Sequence, residues 1–167
     1  MHPATFSWEK GALSPPAKDN PRYYVLFTID RQCYALPLEH VDRAVRMVAC
    51  TAIPEMPDGV LGIINVAGQT LPVIDLRHLF GQMSKDPELQ DRLLILKVKE
   101  RMVAAVVDEV LSVEEFTSEQ IEPPSPALTR SRALAATIRH DNALVMILDT
   151  YRLFPEKPED SIEEANL

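Results

Sequence analysis

Five glycines, at positions 11, 59, 62, 68 and 81, are all that this 167-residue chain contains. So few, so spaced, build neither a phosphate-cradling P-loop nor a GxGxxG dinucleotide turn. There are two cysteines, Cys33 and Cys50, and no CxxC pair, which points to two reduced, partly buried thiols. The four histidines (His2, His40, His78, His140) show no HxH or HExxH spacing, so no zinc site is expected, nor any other metal or cofactor. GxSxG and N-x-S/T are absent. One SxxK, Ser7 to Lys10, lacks its SDN and KTG companions and reads as chance. Basic residues are outnumbered, 17 Lys and Arg against 25 Asp and Glu, for a net charge of −8. Phosphate neutralisation needs clustered Lys and Arg, so a nucleic-acid partner is not expected. No apolar run approaches the ~20 residues that span a bilayer, which argues against direct membrane insertion. The opening MHPATFSWEKGALSPP has no secretory-type apolar core, and the expected location is the cytoplasm.

What is present is short and apolar. Residues 1–21 carry four prolines and read as a mobile arm, and residues 155–167, PEKPEDSIEEANL, as a flexible acidic tail. Between them the apolar period is two, or the runs are continuous. Tyr23 to Ile29 and Cys33 to Leu38 form a hairpin around Asp30-Arg31-Gln32. Arg46 to Ile53 is another candidate strand. Val60 to Val66 and Thr70 to Ile74 flank Ala67-Gly68-Gln69, a second hairpin. Leu76 to Phe80 has helical spacing and stops at Gly81. After a polar linker, Gln82 to Gln90, Leu93 to Val98 and Met102 to Val107 make a third hairpin around Lys99-Glu100-Arg101.

That third hairpin repeats the first. YYVLFTIDRQCYALPLEHV (23–41) lies over RLLILKVKERMVAAVVDEV (92–110) without a gap. Likewise LPVIDLRHLF (71–80) lies over VMILDTYRLF (145–154), with Asp149 on Asp75. Two copies of such a unit predict a mainly β fold: two SH3-like five-stranded β-barrel subdomains around a shared hydrophobic core, with short helical turns. The expected subdomains cover approximately 22–85 and 91–154 and can exchange strands. A shared seam is expected because units this small bury little core alone.

No catalytic group is assigned. Asp75 and Asp149 could act as an acid and a base, but each stands where a strand meets a helical turn and fits an N-cap, its side chain accepting from the turn's first N–H groups. Asn65, before a glycine turn, either bonds its own backbone or meets a partner. His78 and His140 read as surface residues. A rival from another class is a small-ligand-binding or hydrolytic β-barrel using Asp75, His78 and His140, which requires those side chains to converge in one pocket.

GIINVAGQTLPVIDLRHLFG closely resembles the hallmark stretch of CheW-type chemotaxis coupling proteins. YYVLFTIDRQCYALPLEHVDRAVR resembles the family's opening strands, and AAVVDEVLSVEEF, IEPPSPAL and LVMILDTYRLF its later landmarks. The similarity covers about residues 22–154. It implies a non-enzymatic cytoplasmic scaffold, recruited to membrane receptor arrays, that couples the cytoplasmic tips of methyl-accepting receptors to the regulatory domain of a CheA-type histidine kinase. The alternative within the family is an accessory protein that binds kinase or array partners without normal receptor coupling.

By the same resemblance Gly62, Asn65 and Gly68 match the receptor-side motif, and Val41 an apolar position of receptor contact. Ala67 stands where the family usually has Arg, which removes a long, multivalent donor. Arg43 stands where the family usually has an acidic kinase-side residue, a charge reversal. Leu128 aligns roughly with an apolar kinase contact, and Ala136 sits where Gly is usual.

Overall fold

The runs that are apolar at every position become strands buried on both faces. In a computed structural model of the chain, residues 22–128 and 133–154 are described; the predicted arm and acidic tail lie outside them. β1 (Arg22–Ile29) and β2 (Gln32–Pro37) form the first hairpin, followed by a 3-10 turn (Leu38–His40) and β3 (Val41–Arg46). β4 (Val60–Val66), β5 (Gln69–Asp75) and the helical turn α1 (Leu76–Leu79) complete the first half. The second half holds β6 (Arg92–Val98), β7 (Arg101–Val107), β8 (Glu109–Phe116), β9 (Ile121–Glu122), a 3-10 turn (Pro126–Leu128), β10 (Leu134–His140), β11 (Ala143–Leu148) and α2 (Thr150–Leu153).

The fold is mainly β, in two SH3-like subdomains. One sheet runs β8-β1-β2-β11-β10-β9 and the other β3-β6-β7-β5-β4. The first is six-stranded rather than five, because the two-residue β9 adds to the edge of β10. Neither ladder closes on itself: β8 and β9 are the edges of one sheet, β3 and β4 of the other. Each half of the chain lends its first hairpin to the sheet built mainly by the other half. The joins are the two parallel pairings, β2 with β11 and β5 with β7.

The repeat seen in the sequence holds in detail. Val73 pairs with Ala104 in one parallel join, and Ile147 with Ala35 at the equivalent place in the other. Both β4–β5 and β10–β11 carry a bulge at the same point, between Val60 and Gly62 and between Leu134 and Ala136. Asp75 N–H donates to the Gly59 carbonyl at 2.8 Å, and Asp149 N–H to that of Ala133 at 2.7 Å.

Alternation along the central strands separates three cores. Val25, Phe27 and Ile29 of β1 face Leu94, Leu96 and Val98 of β6 in a seam common to both sheets, where α1 and α2 contribute Leu76 and Leu153. The intervening residues, Tyr24 and Leu26 on β1 and Leu93 and Ile95 on β6, fill the interiors of the two curled sheets. A strand with a core on each side has no face for polar residues, which is why these runs do not alternate.

One expected strand is displaced. The strand placed at Arg46 to Ile53 lies instead at Val41–Arg46, where it pairs with β6. Beyond Arg46 only Thr51 makes a bridge, exchanging hydrogen bonds of 2.9 Å with Ile63. The apolar character of Met47 and Cys50 reflects packing against the five-stranded sheet's interior rather than ladder pairing. Gly62 permits that approach: a Cβ there would stand 2.8 Å from the Thr51 carbonyl oxygen and 2.9 Å from Cys50 Cβ.

A buried arginine ties the two subdomains together. The Arg77 side chain on α1 is 4% exposed, with Nη2 3.0 Å from Asp30 Oδ1 and 2.6 Å from Asp108 Oδ1. Asp30 lies in the β1–β2 turn and Asp108 at the crossing from β7 to β8, and Asp108 Oδ2 also accepts from Asp30 N–H at 2.7 Å. At the repeat-equivalent corner the chemistry differs. There Lys99 Nζ lies 5.5 Å from the centre of the Tyr151 ring, a cation–π contact, and His40 Nδ1 is 2.8 Å from Thr150 Oγ1.

Arg77→Ala is expected to destabilise the fold by about 2–3 kcal/mol in urea unfolding, less than the ~3–5 kcal/mol of a fully buried pair. The discount reflects the exposure of its partners, 54% for Asp30 and 28% for Asp108. Hydrogen bonding to Arg77 holds the Asp30 carboxyl below its usual range. A lowered folded pKa adds stability above the unfolded pKa and loses it as pH falls. The gap between wild type and Arg77→Ala therefore narrows below about pH 4. Gly62→Ala is expected to cost about 1–3 kcal/mol by overpacking, read by the same urea titration.

Candidate docking surfaces

The hallmark hairpin is a two-residue turn whose two central residues, Ala67 (φ 49°) and Gly68 (φ 83°), are both left-handed, as a type I′ turn requires. Gly68 faces open space, so within the fold what requires glycine there is its left-handed backbone rather than a close approach. Asn65 Oδ1 accepts from Gly68 N–H at 3.1 Å, the local backbone bond anticipated for it. Asn65, Ala67 and Gly68 are exposed at the tip, whereas Gly62 is buried.

Val41 begins β3, half-buried against the common seam. Arg43, two residues on, is exposed and its Nε donates to Asp42 Oδ2 at 2.7 Å, so part of its charge is met by its own neighbour. Val41 and the hairpin tip belong to β3 and β4, opposite edges of one ladder. Leu128 ends the 3-10 turn between β9 and β10, in the other subdomain. Ala136 is buried on β10 at the bulge position equivalent to Gly62.

Asp75, His78 and His140 are not brought together. Asp75 Oδ1 accepts from Arg77 N–H at 3.0 Å, and Asp149 Oδ1 from Tyr151 and Arg152 N–H at 3.0 and 3.2 Å; both are helix caps. His78 is exposed over Gly59. His140, at the end of β10, packs edge-on to Phe116 with centroids 5.4 Å apart, near Asp141 and Glu114. Among the described residues no group of three or more His, Cys, Asp or Glu could hold a metal. Cys33 and Cys50 are free, and burial raises both thiol pKa values.

The sequence reading missed the surfaces at the subdomain boundary. Tyr23, Leu38, Leu111 and Val113 are 39–53% exposed, all large and apolar. Tyr23 pairs with Glu115 and Val25 with Val113, so Tyr23 and Val113 are diagonal neighbours on one face. Leu111 occupies the bulge of the edge strand β8, and Leu38 continues from Pro37, the partner of Tyr24. The signal was in EVLSVEEF: a period of two that puts Leu111 and Val113 on the exposed side of an edge strand.

A cleft of about 810 Å³ lies between the subdomains, walled by β3 (Ala44, Val45, Arg46) and by the start of β8 (Glu109, Val110). A smaller, largely hydrocarbon pocket of about 360 Å³ lies between the helical turns, lined by Met56, Pro72, Ile74, Leu79, Leu153 and Phe154. No helix among the described residues is long and apolar enough to cross a membrane.

The CheW-like domain matches residues 23–157. A probable chemotaxis protein CheW of Rhizobium etli is 28% identical over 142 residues, 84% of this chain and 92% of the relative. The chemotaxis protein CheW of Thermotoga maritima is 25% identical over 130 residues, 78% of this chain and 85% of that protein. Among solved structures, the scaffolding protein TtCheW of Thermoanaerobacter tengcongensis superposes with a TM-score of 0.73 at 30% identity, covering 82% of this chain and 94% of that one. With its exchanged hairpins, shared seam and exposed strand edges, the chain belongs to the CheW family and is a chemotaxis scaffold protein.

Proposed function

We propose that the protein couples methyl-accepting receptors to a CheA-type histidine kinase by holding both, without chemistry of its own. The observation that carries the reading is the set of exposed apolar side chains Tyr23, Leu38, Leu111 and Val113 on and next to the edge strand β8. Exposed hydrocarbon on the edge strand β8 and on the neighbouring β1 and 3-10 turn favours a contact surface, and a helical hairpin with an apolar face would bury it. Val41, Asn65 and Gly68 lie on the five-stranded subdomain as further receptor-side candidates, and Arg43 and Leu128 as kinase-side candidates. In this reading the protein is cytoplasmic and is recruited to receptor arrays at the membrane.

The accessory reading draws support from the hairpin tip. Ala67 offers no side-chain donor there, and Arg43 already spends one donor on Asp42. A receptor that expects an arginine at the tip would be held less tightly.

Binding of a receptor hairpin fragment and of a kinase regulatory domain, each measured separately by calorimetry at physiological salt, tests the two readings. Coupling requires both to bind, with Val113→Glu weakening the receptor fragment at least ~10-fold, as expected for a charge placed in an apolar contact. Kinase binding alone favours the accessory role, and binding of neither removes both. Ala67→Arg is expected to tighten the receptor fragment about 3- to 10-fold through a charge-assisted bond; no gain places the grip elsewhere on the surface.

A further inference from the structure

The two helical-turn corners of the repeat are closed by side chains of unequal size. At the α1 corner the Tyr34 ring lies 4.9 Å from that of Phe80 and 5.9 Å from that of Phe27, stacked on both. Its hydroxyl shares a hydrogen bond with the Gln82 side chain. At the α2 corner Phe154 is the repeat counterpart of Phe80, but Val103 stands in the place of Tyr34. Strand register supports the equivalence: Tyr34 sits opposite Phe27 in its hairpin, and Val103 opposite Leu96. Among the described residues no ring stacks on Phe154. Three neighbouring positions differ in the same direction. Gly59, Val60 and Pro72 stand where the other corner has Ala133, Leu134 and Met146. These four smaller residues all line the hydrocarbon pocket of about 360 Å³, together with Leu153 and Phe154.

We propose that this pocket binds a small single-ring aromatic molecule of the phenol class, which packs against Phe154 as the Tyr34 ring packs against Phe80. The smaller residues come from three separate segments, Gly59-Val60, Pro72 and Val103, so one local irregularity does not account for the pocket. Leu79 is 40% exposed and Met56, Pro72 and Ile74 are half-buried, so the walls offer hydrocarbon to what enters. A flat ring set among them recovers transfer free energy and dispersion contacts that solvent does not supply. Exposed Asp58 and half-buried Arg101 are the polar side chains of the lining. Arg101 Nη2 donates to the Phe154 carbonyl at 2.9 Å, which holds the guanidinium beside Phe154. A ligand hydroxyl would meet this polar edge, as the Tyr34 hydroxyl meets Gln82. No residue of the lining is among the receptor- or kinase-side candidates, so ligand binding and coupling are measured separately.

The test titrates the full chain with para-cresol, the tyrosine side chain as a free molecule, and follows methyl signals by proton–carbon NMR. Saturable shifts at Ile74, Leu79 and Val103, with half-saturation at or below about 1 mM, are expected. No saturable shift up to about 10 mM overturns the proposal. Val103→Tyr, which sets a ring in the pocket as Tyr34 does at the other corner, should weaken binding at least ~10-fold. Val60→Leu, a smaller step toward the other corner, should weaken it about 3-fold and serves if the tyrosine variant does not fold. Wild-type affinity in either folded variant overturns the proposal. So does equal binding of methylcyclohexanol, which keeps the size and the hydroxyl but has no aromatic face. A full-length chain carrying Ile162→Ser and Leu167→Ser that gains at least ~10-fold in para-cresol affinity would also overturn it, since the occupant is then the protein's own tail.

Discussion

Four strands, β1, β2, β6 and β7, are buried on both faces, and the rest of the molecule is arranged around that constraint. Each curled sheet has an interior of its own, but a unit of this size cannot exclude enough water to be stable alone. Placing the two hairpins back to back gives every second residue of each strand a second core. Phe27, Leu36, Leu94 and Leu96, all fully buried, belong to neither subdomain alone. The exchange of hairpins between halves then follows, because a hairpin in the seam must border its own half and still complete the ladder of the other.

The repeat fixes geometry more tightly than chemistry. Bulges, caps and parallel joins recur at equivalent positions, since each is set by backbone hydrogen bonds that many side chains tolerate. Where the two subdomains meet at the helical turns, the same corner is closed once by Arg77 with Asp30 and Asp108 and once by Tyr151 with Lys99. An ion cluster and a cation–π contact solve one problem, holding a turn against the neighbouring hairpin, with unrelated side chains.

The seam leaves the borders of the two sheets exposed. The edge strands β3 and β8 border the cleft between subdomains, and alternate residues along them turn outward from the cores. Tyr23, Leu38, Leu111 and Val113 are exposed there, and among the described residues no carboxylate pairs with Arg31, Arg46 or Arg92 of the cleft.

By itself the sequence determined the strands of the central hairpins, the two-fold repeat, the helical turns and the caps Asp75 and Asp149. These are local: alternation, turn residues and N-cap chemistry act over a few residues, and duplication doubled each signal. The backbone role of Asn65 was legible for the same reason. The position of β3 was not, because Met47 and Cys50 are apolar for packing and imitate a strand. Nor was Arg77, whose partners stand 47 and 31 residues away and whose surroundings in LRHLF look like an ordinary exposed turn. Which hairpin completes which sheet, and which arginines share a cleft, was decided by tertiary structure alone, because it depends on how two separately folded edges approach, and no spacing within one segment records that distance.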